Sequence, residues 1–421
     1  MRHTEQVKQI HAMIESIDSH RVPQADKILA CPTTSFTDPE QAAREREVLF
    51  RNHPQLIGLS GDIDGPGSFM TLNDFNVPIL ATRDKQGKFH AFLNSCRHRG
   101  AQLTQKARGK QSHFVCPYHA WVYRDDGSLL SVREQELFGE IDKKCNSLIE
   151  LPAEEKYGML WVHPQPGGEL DVDALLGPEL ATEMEAWELG RAVYKGGHVF
   201  ERPLNWKLAS DTFSECYHFA VLHSRTVANF LHGDFNTYRN FGNHHRMIVP
   251  NKNIKTTLEK PESAWNIAAV SSMVYYIFPN VQFNLLNNVL SLTHIFPDAK
   301  NPGQSRSRIS VYQADHLLRD KEVGVERANL SADNMYSADA SQPFELDFDG
   351  LLEALKSTVN DEDYTTSTQI QEAANSGLID HLKFGRNEPG LQHAHNALRA
   401  AIGLPPLPEY QPNVTYGRAG L

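Results

Sequence analysis

Two short cysteine–histidine pairs constrain this chain more than any other feature of its sequence. Cys96 and His98 form a Cys-x-His pair, and Cys116 and His119 form a Cys-x-x-His pair after a gap of 17 residues. Each pair follows a run of strand-forming residues, where a strand would give way to a loop. Two such loops, each with two metal-binding side chains, can converge on one centre. The sequence therefore predicts that residues 96–119 fold around a metal site.

Three interpretations of these pairs compete. The four side chains could be buried without a metal, but two tight pairs of this composition make that a poor explanation. A structural zinc ion accepts two cysteines and two histidines, although zinc sites usually keep the two residue types in separate pairs. A mixed-ligand two-iron, two-sulfide cluster takes both thiolates on one iron and both imidazoles on the other. The alternation of sulfur and nitrogen ligands along the chain favours the cluster.

Composition excludes several other classes of protein. The chain has 421 residues, five cysteines and a net charge of −11. An odd number of cysteines, with no apolar signal segment at the N-terminus, argues against a disulfide framework and predicts a reducing, cytoplasmic location. Without a run of 18 apolar residues we expect no membrane span. The acidic balance argues against nucleic acid as a partner, because phosphate binding needs clustered lysine and arginine.

The pattern of apolar residues changes twice along the chain. Helical spacing from Val7 to Ile17 predicts a first helix. Asp38 followed by Pro39 predicts the start of a second helix, which we expect to end near residue 53. Residues 55–163 carry short strand-like runs separated by turn sequences, a pattern typical of a small all-β domain.

A segment rich in proline and glycine, residues 164–168, separates this part from the rest of the chain. Beyond it, helical and strand patterns mix in the manner of an α+β domain with an antiparallel sheet. We therefore predict N-terminal helices over 1–50 that pack on the third domain, an all-β domain over 51–166, and the α+β third domain over 167–421.

A second group of metal-binding side chains lies in an otherwise apolar run. His218 and His223 stand five residues apart, preceded by Glu215 and Asp211. Asp211, Glu215 and His218 have the spacing of one helix face. His223 would fall about 140° off that face, so a π-type bulge or a helix end is needed to bring the imidazoles together.

Two histidines and one carboxylate form the facial triad that leaves iron(II) with open positions. A solvated helix with incidental histidines is the alternative, which two histidines among carboxylates make less attractive. Candidate carboxylates follow one another at Asp361, Glu362 and Asp363, in a stretch with a helical pattern. An exposed helix N-terminus would also explain Asp361 and Glu362.

The residues CRHRGAQL from Cys96 and CPYHAW from Cys116 resemble the Rieske signature of the ring-hydroxylating oxygenase α subunits, which are Rieske non-heme iron oxygenases. The family usually has glycine after the last histidine, where this chain has Ala120, and we expect a small adjustment of the loop there. The resemblance covers the chain from about residue 40 to its end. It implies an α+β fold class, with an all-β Rieske [2Fe-2S] domain and a catalytic domain whose antiparallel sheet wraps on helices (helix-grip, START-like).

The resemblance also implies two sets of ligands. The [2Fe-2S] cluster would be held by Cys96, His98, Cys116 and His119. The mononuclear iron(II) would be held by His218, His223 and Asp363, with Asp361 and Glu362 as weaker alternatives to Asp363.

Two further residues are candidates for catalytic roles. Glu215 matches the family's bridging carboxylate, which hydrogen-bonds a Rieske histidine of the neighbouring subunit and an iron-binding histidine of its own. Many members have aspartate there, and glutamate occurs in the branch that acts on quaternary amines. Asp211 matches a position near the iron that is often asparagine. It could steer water, accept a proton or ligate weakly, or it could only cap local backbone.

The resemblance implies that electrons come from NADH or NADPH through a separate reductase, with or without a ferredoxin. The sequence has no nicotinamide-binding motif, so we do not expect the nicotinamide to bind this chain. Electron transfer between subunits needs a closed ring, and the resemblance implies that this ring is a homotrimer or an α3β3 assembly. The implied reaction is the hydroxylation, dihydroxylation or dealkylation of a small molecule with O2.

The sequence says least about the substrate. We expect the pocket to be lined from residues 213–230 and 271–296, and their apolar character favours an aromatic or mostly apolar molecule. A quaternary ammonium compound is the alternative, with Tyr217, Tyr275 and Tyr276 as a possible aromatic cage. A non-enzymatic electron carrier or a zinc-stabilised binding module is a further alternative. It requires the second group of side chains, around His218 and His223, to have no metal-binding role.

Overall fold

The computed structural model describes residues 1–318, 328–330 and 344–412, and its chain forms two compact units. The smaller unit contains Glu47–Leu175 and Glu188–Arg191. The larger unit contains Met1–Arg46, Leu176–Trp187 and the chain from Ala192 onward. None of the described helices is long and apolar enough to cross a membrane.

The smaller unit is built from three antiparallel sheets, as expected for an all-β domain. The first sheet has the order Glu150–Leu151, Phe89–Leu93, Ile79–Arg83, Ser68–Leu72 and Arg108–Lys110. The second has Ala153–Lys156, Met159–Val162 and Gln55–Leu59, and the third has His113–Val115, Val122–Arg124 and Leu129–Ser131. A short helix spans Gln135–Phe138. The buried core includes both Cys96 and Cys116.

A seven-stranded antiparallel sheet dominates the larger unit. Its strands, in spatial order, are Val193–Arg202, Ser305–Gln313, Val289–Pro297, Val281–Leu286, Ser271–Ile277, His244–Pro250 and Thr237–Phe241. Because side chains alternate along a strand, each face of this sheet receives every second residue. One face carries fully buried side chains such as Met273, Tyr275 and Phe283, and it forms core. The predicted α+β class is confirmed.

The helices of the larger unit position its functional residues. They span His3–Ser19, Thr34–Thr37, Pro39–Glu45, Trp206–Asp211, Phe219–Leu222, Ile267–Val270, Phe348–Leu355, Tyr364–Asn375 and Pro389–Ala401. Asp38 caps the third of these by accepting backbone N–H groups from Glu40 and Gln41, as its sequence predicts. A further helix, Val172–Ala186, is interrupted at Gly177. Two strands, Leu29–Pro32 and His381–Phe384, pair antiparallel, and the short strands Ala328–Leu330 and Phe344–Leu346 pair parallel.

Two segments are π-helical, over Arg46–Arg51 and Lys356–Asp363. The first continues the helix that starts at Pro39, so the helical run ends close to the expected residue 53. The second lies between two α-helices and delivers Asp363 at its end. Wide helical turns of this kind are frequent at functional sites.

Candidate metal centres

The two cysteine–histidine loops of the smaller unit have the same backbone hydrogen bonds. In the first, Cys96 N donates to Ala101 O at 2.8 Å and Gly100 N donates to Cys96 O at 2.9 Å. In the second, Cys116 N donates to Trp121 O at 2.8 Å and Ala120 N donates to Cys116 O at 3.0 Å. Each pattern closes a tight turn that presents the cysteine and the histidine on the same side.

The fourth residue after each cysteine has a left-handed backbone. Gly100 has φ +80° and Ala120 has φ +56°. Glycine adopts this conformation freely, whereas alanine is strained there by its Cβ. The loop therefore keeps its geometry at Ala120, and the backbone there is strained. The strain arises because alanine replaces the glycine that the family usually has at this position.

The side chains of these loops meet at one point. The rings of His98 and His119 lie 4.6 Å apart between centroids, and both Cys96 and Cys116 are buried, free thiols. The Nδ1 atoms of both histidines are buried without a hydrogen-bond partner among the described residues. Buried polar nitrogens normally have a partner, and metal ions are the partner that suits two imidazoles beside two thiols. The four residues fit a Rieske [2Fe-2S] cluster.

Tyr123 supports one of the thiols. Its hydroxyl lies 3.4 Å from Cys96 Sγ and accepts the backbone N–H of Arg97 at 3.0 Å. With its acceptor side occupied, the hydroxyl points its proton towards sulfur. Burial, followed by the hydrogen bond to Cys96, raises the pKa of Tyr123, so the residue stays protonated and donates.

In the larger unit, the segment from Asp211 to His223 is not one continuous helix. The helix over Trp206–Asp211 ends at Asp211, and a new single turn forms over Phe219–Leu222. The predicted helix face shared by Asp211, Glu215 and His218 is therefore wrong. The reason is local: the Glu215 carboxylate accepts the backbone N–H groups of Tyr217 and His218. This side-chain capping competes with helix continuation and starts the next turn.

His218 and His223 flank that single turn, and Asp363 joins them. His218 Nε2 lies 3.2 Å from His223 Nε2, and Asp363 Oδ1 lies 3.4 Å and 3.1 Å from these two nitrogens. Two ligands about 2.1 Å from one ion would be roughly 3.0 Å apart at right angles and 3.4 Å apart at tetrahedral angles. The triangle therefore fits three ligands on one metal ion, which is the ligand set of a facial triad. One ligand atom from each of these three residues lies within 4.8 Å of the other two, as binding to a shared metal ion requires.

A second carboxylate orients each imidazole. Glu215 Oε1 contacts Nδ1 of His218, and Glu362 Oε2 lies 2.5 Å from Nδ1 of His223. Thr226 donates to the same Glu362 oxygen at 2.9 Å. Carboxylates in these positions keep the proton on Nδ1 and leave Nε2 free for a metal ion.

The local charge also favours a cation. Burial lowers the pKa of His218, but the hydrogen bonds to Asp363 and Glu215 outweigh it and raise the pKa to about 10. For His223, Asp363 and Glu362 outweigh burial in the same direction. A pocket that pulls a proton onto both imidazoles would stabilise a divalent ion even more strongly. The residues therefore fit the iron(II) that the resemblance implies.

The two acidic residues that precede Asp363 have different positions in the structure. Asp361 is exposed and accepts a hydrogen bond from Asn360 Nδ2 at 2.7 Å, away from the triad. Glu362 contacts Nδ1 of His223, the ring nitrogen that does not face Asp363. Arg202 holds this segment in place by donating to Asn360 Oδ1 at 2.9 Å.

Asp211 pairs with a residue that the sequence did not single out. His395, on the helix Pro389–Ala401, lies 2.8 Å and 3.1 Å from the two Asp211 oxygens. Burial disfavours its charge, but Asp211 and then Cys31 raise the pKa of His395 to about 10. Asp211 also lines a cavity of about 350 Å³ together with Glu215, His218 and Asp363. The Asp211 carboxylate is therefore bound to a buried histidine close to the triad.

A separate cavity of about 150 Å³ is lined by two residues of the triad, His223 and Asp363. Phe213, Phe219 and Asn284, which were expected at the pocket, do line it. The other lining residues are Thr212, His223, Val227, Leu231, Ser272, Val274, Leu286, Val289, Ser291, Leu355, Thr358, Val359 and Asp363. A cavity of this size holds a molecule about as large as benzene.

The suggested tyrosine cage is not at this cavity. Tyr275 is buried in core, where its hydroxyl donates to Glu183 and accepts from Trp187. Tyr276 is also fully buried, and Tyr217 is 69% exposed. The strands of the sheet were predicted correctly. The side chains that line the cavity, such as Val274, alternate along the strand with core side chains such as Tyr275.

Two protein-family models match the sequence of this chain. A family model described as Rieske [2Fe-2S] domain matches residues 53–140. A model described as ring hydroxylating alpha subunit (catalytic domain) matches residues 189–404, just over half of the chain. This chain belongs to the ring-hydroxylating oxygenase alpha-subunit family. The predicted family, fold class and cofactor domains are thereby confirmed, and the chain is an oxidoreductase.

Curated relatives of this alpha subunit include enzymes of quaternary ammonium compounds. The glycine betaine monooxygenase oxygenase subunit of Chromohalobacter salexigens is 31% identical over 219 residues, which are 52% of this chain and 48% of that protein. The alignment thus spans about half of that relative. The chloroplastic choline monooxygenase of Spinacia oleracea is 27% identical over 323 residues, 73% of this chain and 69% of that protein.

Solved structures share the fold of this alpha subunit. The quaternary ammonium Rieske monooxygenase CntA in complex with L-carnitine matches with a TM-score of 0.69 and 20% identity, over 89% of this chain and 96% of that one. Naphthalene 1,2-dioxygenase from Rhodococcus sp. matches with a TM-score of 0.65 and 18% identity, over 94% and 98%.

Proposed function

We propose that this chain is the oxygenase component of a Rieske monooxygenase that acts on a small quaternary ammonium compound. The relatives named for glycine betaine, choline and carnitine support this substrate class over the aromatic molecule that the sequence favoured. The glutamate at position 215 agrees with that branch.

The charge around the triad is the observation that carries the proposal. Asp363, Glu362 and Glu215 contribute three negative charges, and both neighbouring imidazoles are neutral when they bind a metal through Nε2. An iron(II) ion offsets two of these charges and leaves the site with one net negative charge. A monocation in the adjoining cavity would offset that charge, and the faces of Phe213 and Phe219 suit a quaternary ammonium group.

In this proposal each site residue has a role. Cys96, His98, Cys116 and His119 hold the cluster, and His218, His223 and Asp363 hold the iron. When bound, the cluster supplies single electrons and the iron supplies O2 activation. Glu215 connects His218 to the Rieske histidine of a neighbouring subunit.

The remaining residues prepare the substrate. The apolar cavity walls exclude water and direct a carbon next to the nitrogen towards His223 and Asp363 of the triad. Hydroxylation there consumes O2, two electrons and two protons, and releases one water. The oxidised C–H becomes a C–OH on a carbon bound to nitrogen, and breakage of the C–N bond then yields an amine and an aldehyde.

The partners also belong to this proposal. A separate reductase, with or without a ferredoxin, delivers the electrons, and the bridging role of Glu215 calls for a homotrimer or an α3β3 ring. The cytoplasmic location stays a prediction.

Turnover tests the function directly. The purified holoprotein, given a matched reductase, NADH and O2, should consume NADH in proportion to amine and aldehyde formed from a quaternary ammonium compound. A single-ring aromatic panel serves as the comparison. Coupled oxidation of the aromatic compounds, with none of the quaternary ammonium compounds oxidised, would reject the proposal.

The bridge needs its own test. Glu215→Gln should retain three irons per chain and a reducible cluster but lose most of the single-turnover yield after pre-reduction. Glu388→Gln is the matched control, because Glu388 lines the same 350 Å³ cavity and is not assigned to electron transfer. If Glu215→Gln gave the same single-turnover yield as the wild-type protein, the bridging role of Glu215 would be refuted.

Ring hydroxylation is the second candidate, because the 150 Å³ cavity is mostly apolar and matches one benzene ring in size. The anthranilate 1,2-dioxygenase large subunit of Acinetobacter baylyi is 29% identical over 204 residues, 47% of this chain and 43% of that protein. The same turnover panel separates the two candidates.

A further inference from the structure

The floor of the 150 Å³ cavity is a patch of six side chains from three neighbouring strands. Cross-strand partners arrange them in two rows. The first row is Val274, Asn284 and Ser291, and the second is Ser272, Leu286 and Val289. Three of the six are polar and neutral, and they lie among apolar side chains.

Two of these polar side chains form a hydrogen-bonded pair. Asn284 Nδ2 donates to Ser291 Oγ at 3.2 Å. The pair keeps the Asn284 carbonyl oxygen as an acceptor and the Ser291 hydroxyl proton as a donor. A ligand hydroxyl group can satisfy both, since it donates and accepts at once.

A carboxylate meets different conditions on this floor. Among the described residues that line the cavity there is no lysine and no arginine, and the charged lining residue is Asp363. A carboxylate that entered would lose its hydration without a cation to pair with and would face a like charge. The cavity therefore discriminates between quaternary ammonium compounds by their second functional group.

We propose that the substrate carries a hydroxyl group, and no carboxylate, a short distance from its quaternary nitrogen. This inference rests on the proposed function and narrows it to amino alcohols such as choline, against amino acids such as glycine betaine. The quaternary nitrogen lies at the triad end of the cavity, and the hydroxyl group lies on Asn284 and Ser291.

Three ligands that share the trimethylammonium group test the inference on the wild-type holoprotein. Choline has the hydroxyl group, ethyltrimethylammonium lacks it, and glycine betaine has a carboxylate in its place. We expect kcat/KM for choline to exceed that for ethyltrimethylammonium by about tenfold, the value of one or two neutral hydrogen bonds. We expect it to exceed that for glycine betaine by roughly a hundredfold or more.

A variant locates the effect. Asn284→Leu should reduce the ratio of kcat/KM for choline to kcat/KM for ethyltrimethylammonium about tenfold, because only choline has the hydroxyl group that Asn284 would bind. Thr293→Val is the matched control, because Thr293 is two residues from Ser291 on the same strand and does not line the cavity.

The outcomes separate the two proposals. Glycine betaine turned over as well as choline, or a choline preference that survives in Asn284→Leu, would overturn this inference and leave the quaternary ammonium function intact. Oxidation of aromatic compounds alone would overturn the proposed function and this inference together. The wild-type comparison does not depend on whether a variant folds.

Discussion

Glu362 offers the sharpest test of how the iron site is held. Its Oε2 lies 2.5 Å from His223 Nδ1 and accepts from Thr226 at 2.9 Å. A hydrogen bond to an ionised group is worth about 1.5–3 kcal/mol, and a neutral one about 0.5–1.5 kcal/mol. Glu362→Gln keeps an acceptor but removes the charge, so it should weaken the site by about 1.4 kcal/mol, which is about tenfold in iron affinity. Glu362→Leu removes the acceptor too and should cost about a hundredfold.

The assay is an anaerobic titration of protein that has lost the mononuclear metal but retains its cluster. Iron(II) is added against a competing chelator, and the dissociation constant is obtained from the bound fraction. The visible spectrum of the cluster reports that the smaller unit is intact. Asp361→Asn is the control, because the Asp361 carboxylate bonds to Asn360 and not to a histidine. If Glu362→Leu bound iron as tightly as Asp361→Asn, the supporting role of Glu362 would be refuted.

Three other predictions concern single residues. Ala120→Gly should raise the free energy of unfolding of the Rieske unit by about 1 kcal/mol in denaturant titrations, since it relieves a left-handed alanine; a loss of stability would contradict the strain. Tyr123→Phe should lower the reduction potential of the cluster by about 40 mV in a redox titration, because the hydrogen bond to Cys96 stabilises the reduced form by about 1 kcal/mol; an unchanged potential would exclude that bond. Asp211 raises the pKa of His395 to about 10, above its unfolded value of about 6.5, so the pair stabilises the fold fully below pH 6.5 and progressively less as the pH rises to 10. The loss of stability in His395→Gln should therefore be larger at pH 6 than at pH 9 by urea unfolding, and an equal loss would argue against a charged His395.

Local patterns were enough to predict the elements that carry the ligands. Cys96, His98, Cys116 and His119 are close in sequence, and tight turns bring such residues together with little help from the rest of the chain. The strands over 271–297 were also predictable, since their β-branched and aromatic residues form a continuous signal. By contrast, which face of each strand lines the cavity depends on what covers the sheet. Tyr275 and Asn284 look equally suitable in sequence, but only Asn284 faces the cavity.

The sequence by itself determined the family of this protein and the iron chemistry that its candidate ligands imply, because the types and spacing of those ligands are local features of the chain. Only the tertiary structure decided how that chemistry is supported. Glu362 reaches His223 across 139 residues and His395 reaches Asp211 across 184, and no local pattern encodes such pairings. The helix break before His218 arises in the same way, since Glu215 bonds backbone N–H groups that a regular helix would have used. Side-chain partners far apart in sequence meet only after packing has chosen among many possible neighbours.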